Sequence, residues 1–323
     1  MARHPWTHDQ LIAGIRAGDH RALARAITLV ENRDPGAPAI LSELYPQTGT
    51  AFSVGVTGPP GVGKSSLVAA LVRHVRGLGL TVGVISVDPS SPFTQGALLG
   101  DRIRLVDHVL DPGVFIRSMG PRGHLGGLAE ATLQTLLLLD AAGRDVIFLE
   151  TVGTGQSEVE VMGIADEVLL VLMPGSGDSV QALKAGIMEI PDVIAINKMD
   201  QPGTKELLSD IRTVMALSPD AERQPAIALT EALREEGVDV VWQTLVERRD
   251  ALAAAGELEE RRRENLAAEV VAAAAARART RIEQQIAADP SLAELVVGVQ
   301  QRQVDPLTAV DAIIDAVLRE VTP

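Results

Sequence analysis

The sequence predicts an α/β fold: a doubly wound, mostly parallel sheet extended by helices at both ends of the chain. Apolar, β-branched runs of strand length recur through the middle of the chain, and stretches with helical periodicity separate them. Most of these runs are continuous rather than alternating, which is typical of parallel strands covered by helices on both faces. The five predicted strands are Ser53–Thr57, Thr81–Val87, Val146–Leu149, Val168–Met173 and Val193–Asn197.

The first 49 residues are predicted to form a helical extension. Apolar side chains recur at three- and four-residue steps from about His8 to Leu44, and Asp34-Pro35-Gly36 interrupts the pattern. The predicted strands begin after this segment and occupy residues 50–250, which we interpret as the α/β domain.

The remaining residues, 251–323, are predicted to form a helical arm. A stretch rich in Ala, Glu and Arg predicts one long helix from Ala251 to Ala288, ended by Asp289-Pro290. Two shorter helices are expected at Ser291–Gln301 and Pro306–Glu320. Because such an arm has little to bury itself against alone, we interpret it as a packing or dimerisation element.

Composition excludes several classes of function. Hydrophobic residues make up 46% of the chain and charged residues 22%, a balance that can build a sizeable core. The net charge of -14 argues against a nucleic-acid or anionic-membrane partner. The chain has no cysteine, which excludes disulfides, thiolate metal sites and cysteine nucleophiles. No signal-peptide run or membrane-length apolar stretch is visible, so a soluble cytoplasmic protein is expected.

A phosphate-binding loop is predicted directly after the first strand. The residues from Gly58 match G-x-x-x-x-G-K-[ST] at every fixed position, between a strand and a helix. Glycines let backbone N–H groups face phosphate oxygens, and the helix N-terminus adds partial positive charge. Lys64 is expected to reach the β- and γ-phosphates, and the Ser65 hydroxyl to ligate Mg²⁺. The candidate nucleotide-binding residues here are Gly58, Pro59, Pro60, Gly61, Val62, Gly63, Lys64, Ser65 and Ser66.

Three carboxylates are candidates for the metal region. Glu150 ends a predicted strand and begins Glu-Thr-Val-Gly, in which the N–H of Gly153 is placed to sense the γ-phosphate. Asp88 follows another strand, and Asp101 lies in a later loop; each competes with Glu150 for Mg²⁺. Gln156, three residues beyond the glycine, is the candidate for positioning the attacking water.

A second motif predicts the choice of base. Asn197-Lys198-Met199-Asp200 follows an apolar strand and matches the guanine-reading pattern N-K-x-D. A carboxylate accepts both N–H groups on the Watson–Crick edge of guanine, and adenine offers no such pair of donors. Asn197, Lys198 and Asp200 are therefore candidate nucleotide-binding residues, with Lys198 expected to lie along the base and brace the phosphate loop. Together the two motifs predict an Mg²⁺-dependent hydrolase that binds GTP and GDP.

These motifs together resemble the methylmalonyl-CoA mutase-associated GTPases, formerly described as arginine/ornithine transport ATPases. The resemblance extends from about Arg21 to Arg249 and is dense. It is carried by Gly58–Ser66, Asp88–Phe93, Gly96–Arg102, Gly123–Gly127, Glu150–Glu158 and Asn197–Asp200.

The resemblance implies a GTP-hydrolysing homodimer that serves an adenosylcobalamin-dependent acyl-CoA mutase, either methylmalonyl-CoA mutase or a close relative. Members of the family gate cofactor loading and protect the mutase from inactivation. The chain departs from the family where Ser-Ala-Leu usually follows the last strand, because Glu231, Ala232 and Leu233 stand there. In the family a backbone N–H of this loop meets the guanine carbonyl, a role that Ala232 can still fill.

Three other kinds of protein use the same phosphate loop or a related GTPase core. A P-loop kinase or a transport-coupled ATPase has no need of a guanine-reading carboxylate, so Asp200 argues against both. A nickel-delivery GTPase needs Cys and His ligands, whereas this chain has no Cys and six scattered His.

Overall fold

The computed structural model describes residues 6–87, 108, 110–120, 127–151, 163–176, 191–217 and 224–319. The chain divides into two compact units, residues 1–266 and 267–323. The first unit contains the whole sheet. Within the described helices, none is long and apolar enough to cross a lipid bilayer.

Seven parallel strands form one sheet in the order β3-β2-β4-β1-β5-β6-β7. The strands are β1 Phe52–Thr57, β2 Val82–Val87, β3 Val114–Met119, β4 Val146–Thr151, β5 Glu167–Leu172, β6 Val193–Ile196 and β7 Ala226–Leu229. All five predicted strands are present, and the doubly wound α/β prediction is confirmed. Two strands, β3 and β7, were not among the predicted ones: β3 carries Arg117 and Ser118, and β7 is only four residues long.

Helices cover both faces of the sheet. The helices of the first unit are α1 His8–Arg16, α2 His20–Glu31, α3 Ala37–Leu44, α4 Lys64–Gly77, α5 Gly127–Ala141, α6 Thr204–Leu217, α7 Val238–Ala255 and the first residues of α8 Glu257–Ala288. One apolar cluster joins α4 and α7 to the sheet. On the other face, α1, α2, α3 and α5 share a second cluster, and α6 packs on β5 and β6. Burial on both faces explains why the strands are continuously apolar.

The N-terminal extension contains more breaks than the periodicity predicted. The chain turns between α1 and α2 at Gly18, whose φ is 71°, a left-handed conformation that favours glycine. Asp19 then caps α2 by accepting the backbone N–H of Arg21 at 2.6 Å. A 3₁₀ turn, Tyr45–Gln47, follows α3 and leads towards β1.

The predicted long C-terminal helix is also divided. α7 ends at Ala255, and Gly256, with φ 76°, separates it from α8, so the single helix predicted from Ala251 is wrong at its start. Glycine at this position permits the left-handed C-cap that ends α7. The predicted end of the long helix is correct, because α8 ends at Ala288.

The second unit consists of the last part of α8 with α9 Pro290–Gln300 and α10 Pro306–Arg319. Asp289 caps α9 through the N–H of Ser291 at 2.8 Å, and Asp305 caps α10 by accepting the N–H of Thr308 at 3.0 Å. α9 and α10 pack against each other, and Gly298 allows Val304 to approach α9 closely. α10 begins with Pro306, as the sequence predicted, whereas α9 begins at Pro290, one residue before the predicted start at Ser291.

A buried carboxyl group lies at the amino end of the sheet. Glu167 begins β5, is 0% exposed, and has no hydrogen-bond partner on either carboxyl oxygen within the described chain. Burial, followed by the charge of Asp192, raises the pKa of Glu167 to about 8, although Arg248 and Arg261 oppose the shift. The folded protein therefore retains this proton at neutral pH.

Because Glu167 keeps its proton in the folded protein, the stability of the protein is predicted to depend on pH. Between pH 4.5 and about 8 the folded state holds a proton on Glu167 that the unfolded state has lost, so stability falls as pH rises. Glu167→Gln is neutral in both states and lacks this slope of about 1.4 kcal/mol per pH unit. Between pH 5 and pH 7, we expect the free energy of unfolding of the variant to rise by about 2–3 kcal/mol relative to that of the wild type, as measured by urea denaturation. A difference between the two proteins that stays constant with pH would contradict the assignment.

Candidate nucleotide-binding site

The phosphate loop, residues 58–65, connects β1 to α4 at the carboxyl edge of the sheet. Gly58 has φ 141°, and a Cβ there would lie 2.1 Å from the carbonyl oxygen of Val171. Gly63 has φ 96°, and a Cβ there would lie 2.3 Å from Nδ2 of Asn197. Both glycines are therefore required by close approach as well as by backbone conformation. The neighbouring strands thus fix the curvature of the loop.

The remaining residues of this loop differ in exposure. Pro60 and Gly61 are exposed, whereas Val62 is buried beneath the loop. Pro59 is half-buried, as is Ser66, which follows the loop within α4. The exposed backbone at the tip is accessible to a bound phosphate.

Lys64 is the first residue of α4 and lies inside the curve of the loop. Its side chain is buried, and Nζ donates to the carbonyl oxygens of Gly58 at 2.6 Å and Pro59 at 3.1 Å. The ammonium group is thus held beside the helix N-terminus, where backbone N–H groups also favour an anion. This combination is suited to binding phosphate.

Ser65 and Glu150 are brought together from α4 and β4. The Ser65 hydroxyl donates to Oε1 of Glu150 at 2.5 Å, and both side chains are buried. A hydroxyl and a carboxylate are the hard oxygen ligands that Mg²⁺ prefers, so this pair fits the metal predicted here. No group of three or more His, Asp or Glu side chains forms a different metal site within the described residues.

Asn197 connects the phosphate loop to the β7–α7 loop, residues 230–237. Its Nδ2 donates to the carbonyl oxygen of Val62 at 2.8 Å, and its Oδ1 accepts the N–H of Ala232 at 3.0 Å. Both ends of the amide are therefore used within the protein. Asn197 therefore holds the phosphate loop and the β7–α7 loop together.

Removing this amide is expected to destabilise the protein. Asn197→Ala leaves the buried carbonyl of Val62 and the buried N–H of Ala232 without these partners, at a cost of about 2–4 kcal/mol. Asn197→Asp keeps an acceptor for Ala232, but it replaces the donor to Val62 with a buried negative charge that faces a carbonyl oxygen. Urea denaturation is therefore expected to place both variants below the wild type, with Asn197→Asp no more stable than Asn197→Ala. Equal stability of all three proteins would show that the bridge contributes little.

Lys198 also contacts the phosphate loop. It has φ 57°, and its Nζ donates to the carbonyl oxygen of Gly61 at 3.0 Å and contacts Sδ of Met173 at 3.2 Å. A lysine in this left-handed conformation is uncommon and fits a residue held in place for binding. The structure thus places Lys198 against the tip of the loop.

Asp200 and the β7–α7 loop lie next to each other. The N–H of Met199 donates to the carbonyl oxygen of Thr230 at 3.1 Å, which holds the two segments together. Glu231 and Ala232 are buried, whereas Leu233 is 79% exposed. Sequence reasoning did not single out Arg234, whose guanidinium lies 3.6 Å from Oδ2 of Asp200. No sequence motif marks that arginine.

Two groups of predicted residues therefore meet at the carboxyl edge of the sheet. The phosphate loop with Glu150 forms one group, and the segment from Asn197 to Asp200 with the β7–α7 loop forms the other. Four predicted residues of the metal and switch region lie outside the described residues: Asp88, Asp101, Gly153 and Gln156.

Known proteins are similar to this chain in sequence and in fold. The family model described as Methylmalonyl Co-A mutase-associated GTPase MeaB matches residues 23–290. The GTPase ArgK of Escherichia coli K12 is 38% identical over 268 residues, 80% of this chain and 81% of that protein. The methylmalonic aciduria type A homolog of Caenorhabditis briggsae, a mitochondrial protein, is 34% identical over 280 residues, 80% of this chain and 68% of that protein.

A solved structure extends the similarity to the whole fold. The crystal structure of a LAO/AO transport system kinase has a TM-score of 0.70 and 27% identity, and the match covers 98% of this chain and all of that one. The family model and the relatives named as GTPases support hydrolysis of GTP by this chain. The chain belongs to the MeaB family of methylmalonyl-CoA mutase-associated GTPases.

Proposed function

We propose that this GTPase is a chaperone of an adenosylcobalamin-dependent acyl-CoA mutase, which gates cofactor loading and protects the mutase from inactivation. The mutase is methylmalonyl-CoA mutase or a close relative. The observation that carries the nucleotide part is the Asn197 bridge, which joins the phosphate loop and the base-reading segment in one hydrogen-bonded unit. The mutase part is supported by the family description.

In the proposed site each residue has a separate role. Lys64 exchanges its contacts with loop carbonyls for the β- and γ-phosphates, which are stronger acceptors because they are charged. Ser65 and Glu150 hold Mg²⁺, which supplies charge neutralisation at the phosphates when it is bound. Asp200 reads guanine. The N–H of Ala232, which donates to Oδ1 of Asn197 at 3.0 Å, holds the β7–α7 loop beside the base-reading segment.

Four residues that lie outside the described part of the chain have further roles in the proposed site. Asp88 and Asp101 remain candidates for the metal region, Gly153 for sensing the γ-phosphate, and Gln156 for positioning water. Gln156 stands three residues after Gly153 in the sequence rather than next to it, a spacing consistent with a slow intrinsic rate that a partner accelerates.

The nucleotide proposal is tested by isothermal titration of the purified chain with GDP and with ADP in Mg²⁺. Tight binding of GDP with negligible binding of ADP is the expected result. Comparable affinity for ADP would favour the alternative, a P-loop kinase or transport-coupled ATPase, and would make Asn197–Asp200 an ordinary turn.

The chaperone proposal needs a second measurement. Purified methylmalonyl-CoA mutase is added to the GTPase, and the rate of GTP hydrolysis and the rate of adenosylcobalamin loading are followed. Loading that depends on GTP and is lost with a GTPase that cannot bind nucleotide is the expected result. Unchanged rates with this mutase and with related acyl-CoA mutases would contradict the chaperone role.

We further propose that the chain is a homodimer that pairs through the second unit. On α10, three apolar side chains recur at helical spacing: Leu307, Val310 and Ile314 are 75%, 53% and 41% exposed. Such a stripe is costly to leave in water and is typical of a helix that packs on another surface. A second copy of the same arm is the partner implied by the family.

The dimer is tested by charge substitution on this stripe. Leu307→Glu combined with Ile314→Glu is expected to weaken self-association by about a hundredfold or more, because each apolar side chain contributes about 1.5–3 kcal/mol when buried. Asp311→Ala, on an exposed polar position of the same helix, is the control. Sedimentation equilibrium measures the mass of each protein. If the wild type, the double variant and the control formed equally stable dimers, the interface would lie elsewhere.

A further inference from the structure

The β7–α7 loop is held in one conformation by its own hydrogen bonds. Glu231 and Glu236 exchange two backbone hydrogen bonds, at 2.9 and 3.2 Å, which close the loop at its base. The hydroxyl of Thr230 donates to the carbonyl oxygen of Glu236 at 2.9 Å. The N–H of Arg234 donates to the carbonyl oxygen of Glu231 at 3.1 Å. The backbone position of Arg234 is therefore fixed by the loop itself.

The two residues at the tip of this loop form ion pairs with different parts of the protein. Glu235 has φ 59°, a left-handed conformation that is uncommon for residues other than glycine. Its carboxylate accepts a hydrogen bond from Nε of Arg73, on α4, at 2.5 Å. Arg234, one residue earlier, lies beside the base-reading carboxylate, with its Nη2 3.6 Å from Oδ2 of Asp200. The fixed backbone thus places a guanidinium group next to Asp200.

A guanidinium group and guanine present similar donors to a carboxylate. Arginine offers pairs of N–H groups in one plane, which match the two oxygens of a carboxylate. The Watson–Crick edge of guanine also offers two N–H groups side by side, so Arg234 and guanine have the same target on Asp200. The separation of 3.6 Å is longer than a hydrogen bond, and the two side chains are 62% and 41% exposed. The pair is therefore held mainly by charge and can open.

We propose that Arg234 is an internal competitor for the guanine-reading carboxylate, which pairs with Asp200 before the nucleotide binds and so lowers the affinity for guanine nucleotides. The carboxylate accepts both N–H groups of guanine only after Arg234 has moved away from Oδ2. An exposed pair of this kind is formed in about half to four-fifths of the molecules. Because only the remaining fraction is ready to bind guanine, the dissociation constant is raised about twofold to fivefold. The inference rests on the proposed guanine site.

The test compares the GDP dissociation constants of the wild type and Arg234→Ala by isothermal titration in Mg²⁺. At low salt, Arg234→Ala is expected to bind GDP about twofold to fivefold more tightly. The difference should disappear at about 1 M salt, where the Debye length is about 3 Å and an exposed pair is screened. Arg212→Ala, on the exposed surface of α6, removes the same charge away from the site and should follow the wild type.

A second comparison separates competition at Asp200 from attraction of the nucleotide phosphates by Arg234. Asp200→Asn is expected to bind XDP and has no carboxylate with which Arg234 can pair. Adding Arg234→Ala to Asp200→Asn should therefore not tighten the binding of XDP. Tighter binding of XDP by the double variant would show that Arg234 acts without Asp200, and would overturn the inference.

The two proposals fail in different ways. If the wild type binds GDP selectively and Arg234→Ala binds it with equal or lower affinity at low salt, the competition is overturned and the guanine site stands. If the wild type does not prefer GDP to ADP, or if Asp200→Asn keeps its GDP affinity, the guanine site itself is overturned.

Discussion

Asp200→Asn is expected to move the base preference from guanine to xanthine. The carboxylate accepts two N–H groups from guanine, and the amide of asparagine instead donates to the xanthine carbonyl. Each hydrogen bond to a charged group contributes about 1.5–3 kcal/mol, so GDP affinity should fall by about a hundredfold or more. XDP affinity should rise at the same time. Isothermal titration with GDP and XDP measures both changes.

The control for this substitution is an aspartate outside the site. Asp210 is exposed on α6, and Asp210→Asn makes the same chemical change without affecting the base-reading segment. It should bind GDP like the wild type. If Asp200→Asn also bound GDP with unchanged affinity, the base would be read by other residues.

Lys64→Ala is expected to remove tight nucleotide binding and hydrolysis together. The buried ammonium is the positive side chain held within the curve of the phosphate loop. In the variant, the negatively charged phosphates of the nucleotide would lose this partner. We expect GTP affinity to fall by about a thousandfold, since charge-assisted hydrogen bonds are about twice as strong as neutral ones. Fluorescent GTP titration and phosphate release measure the two effects.

A control is needed because Lys64 also contacts the loop itself. Circular dichroism and urea denaturation show whether Lys64→Ala folds, since the loss of its bonds to two loop carbonyls affects the free protein as well. Lys205→Ala, on the exposed surface of α6, controls for the loss of one positive charge. A folded Lys64→Ala with normal GTP affinity would remove the phosphate loop from the proposed mechanism.

Most of the sheet could be predicted because burial on both faces leaves a continuous apolar pattern. The same rule fails for β3, where Arg117 forms an ion pair with Glu31 of α2, so a charged residue lies within a strand. Such a pair joins residues 86 positions apart and leaves no local pattern. Gly18 and Gly256 adopt left-handed backbone conformations at the ends of helices. The apolar periodicity of the sequence marks such a break less clearly at a glycine than at a proline.

The site was predictable to the extent that its residues form linear motifs. Gly58–Ser65 and Asn197–Asp200 each lie in one short segment with a strand before it, and the structure brings both to one edge of the sheet. The bridge through Asn197 and the ion pair between Asp200 and Arg234 join residues far apart in sequence. Since these contacts depend on the register of β6 and β7, they could be described only with the fold in hand.

The order of the strands has a consequence for how the chain folds during synthesis. β1, which carries the phosphate loop, pairs with β4 from Val146 onwards and with β5 from Glu167 onwards. The ribosome therefore makes more than 90 residues after Phe52 before the first neighbour of β1 exists, as the pairing of Phe52 with Val146 shows. Contacts between residues so far apart form slowly. A nascent chain that stops short of β4 has the complete phosphate-loop sequence but lacks the sheet that holds it in shape.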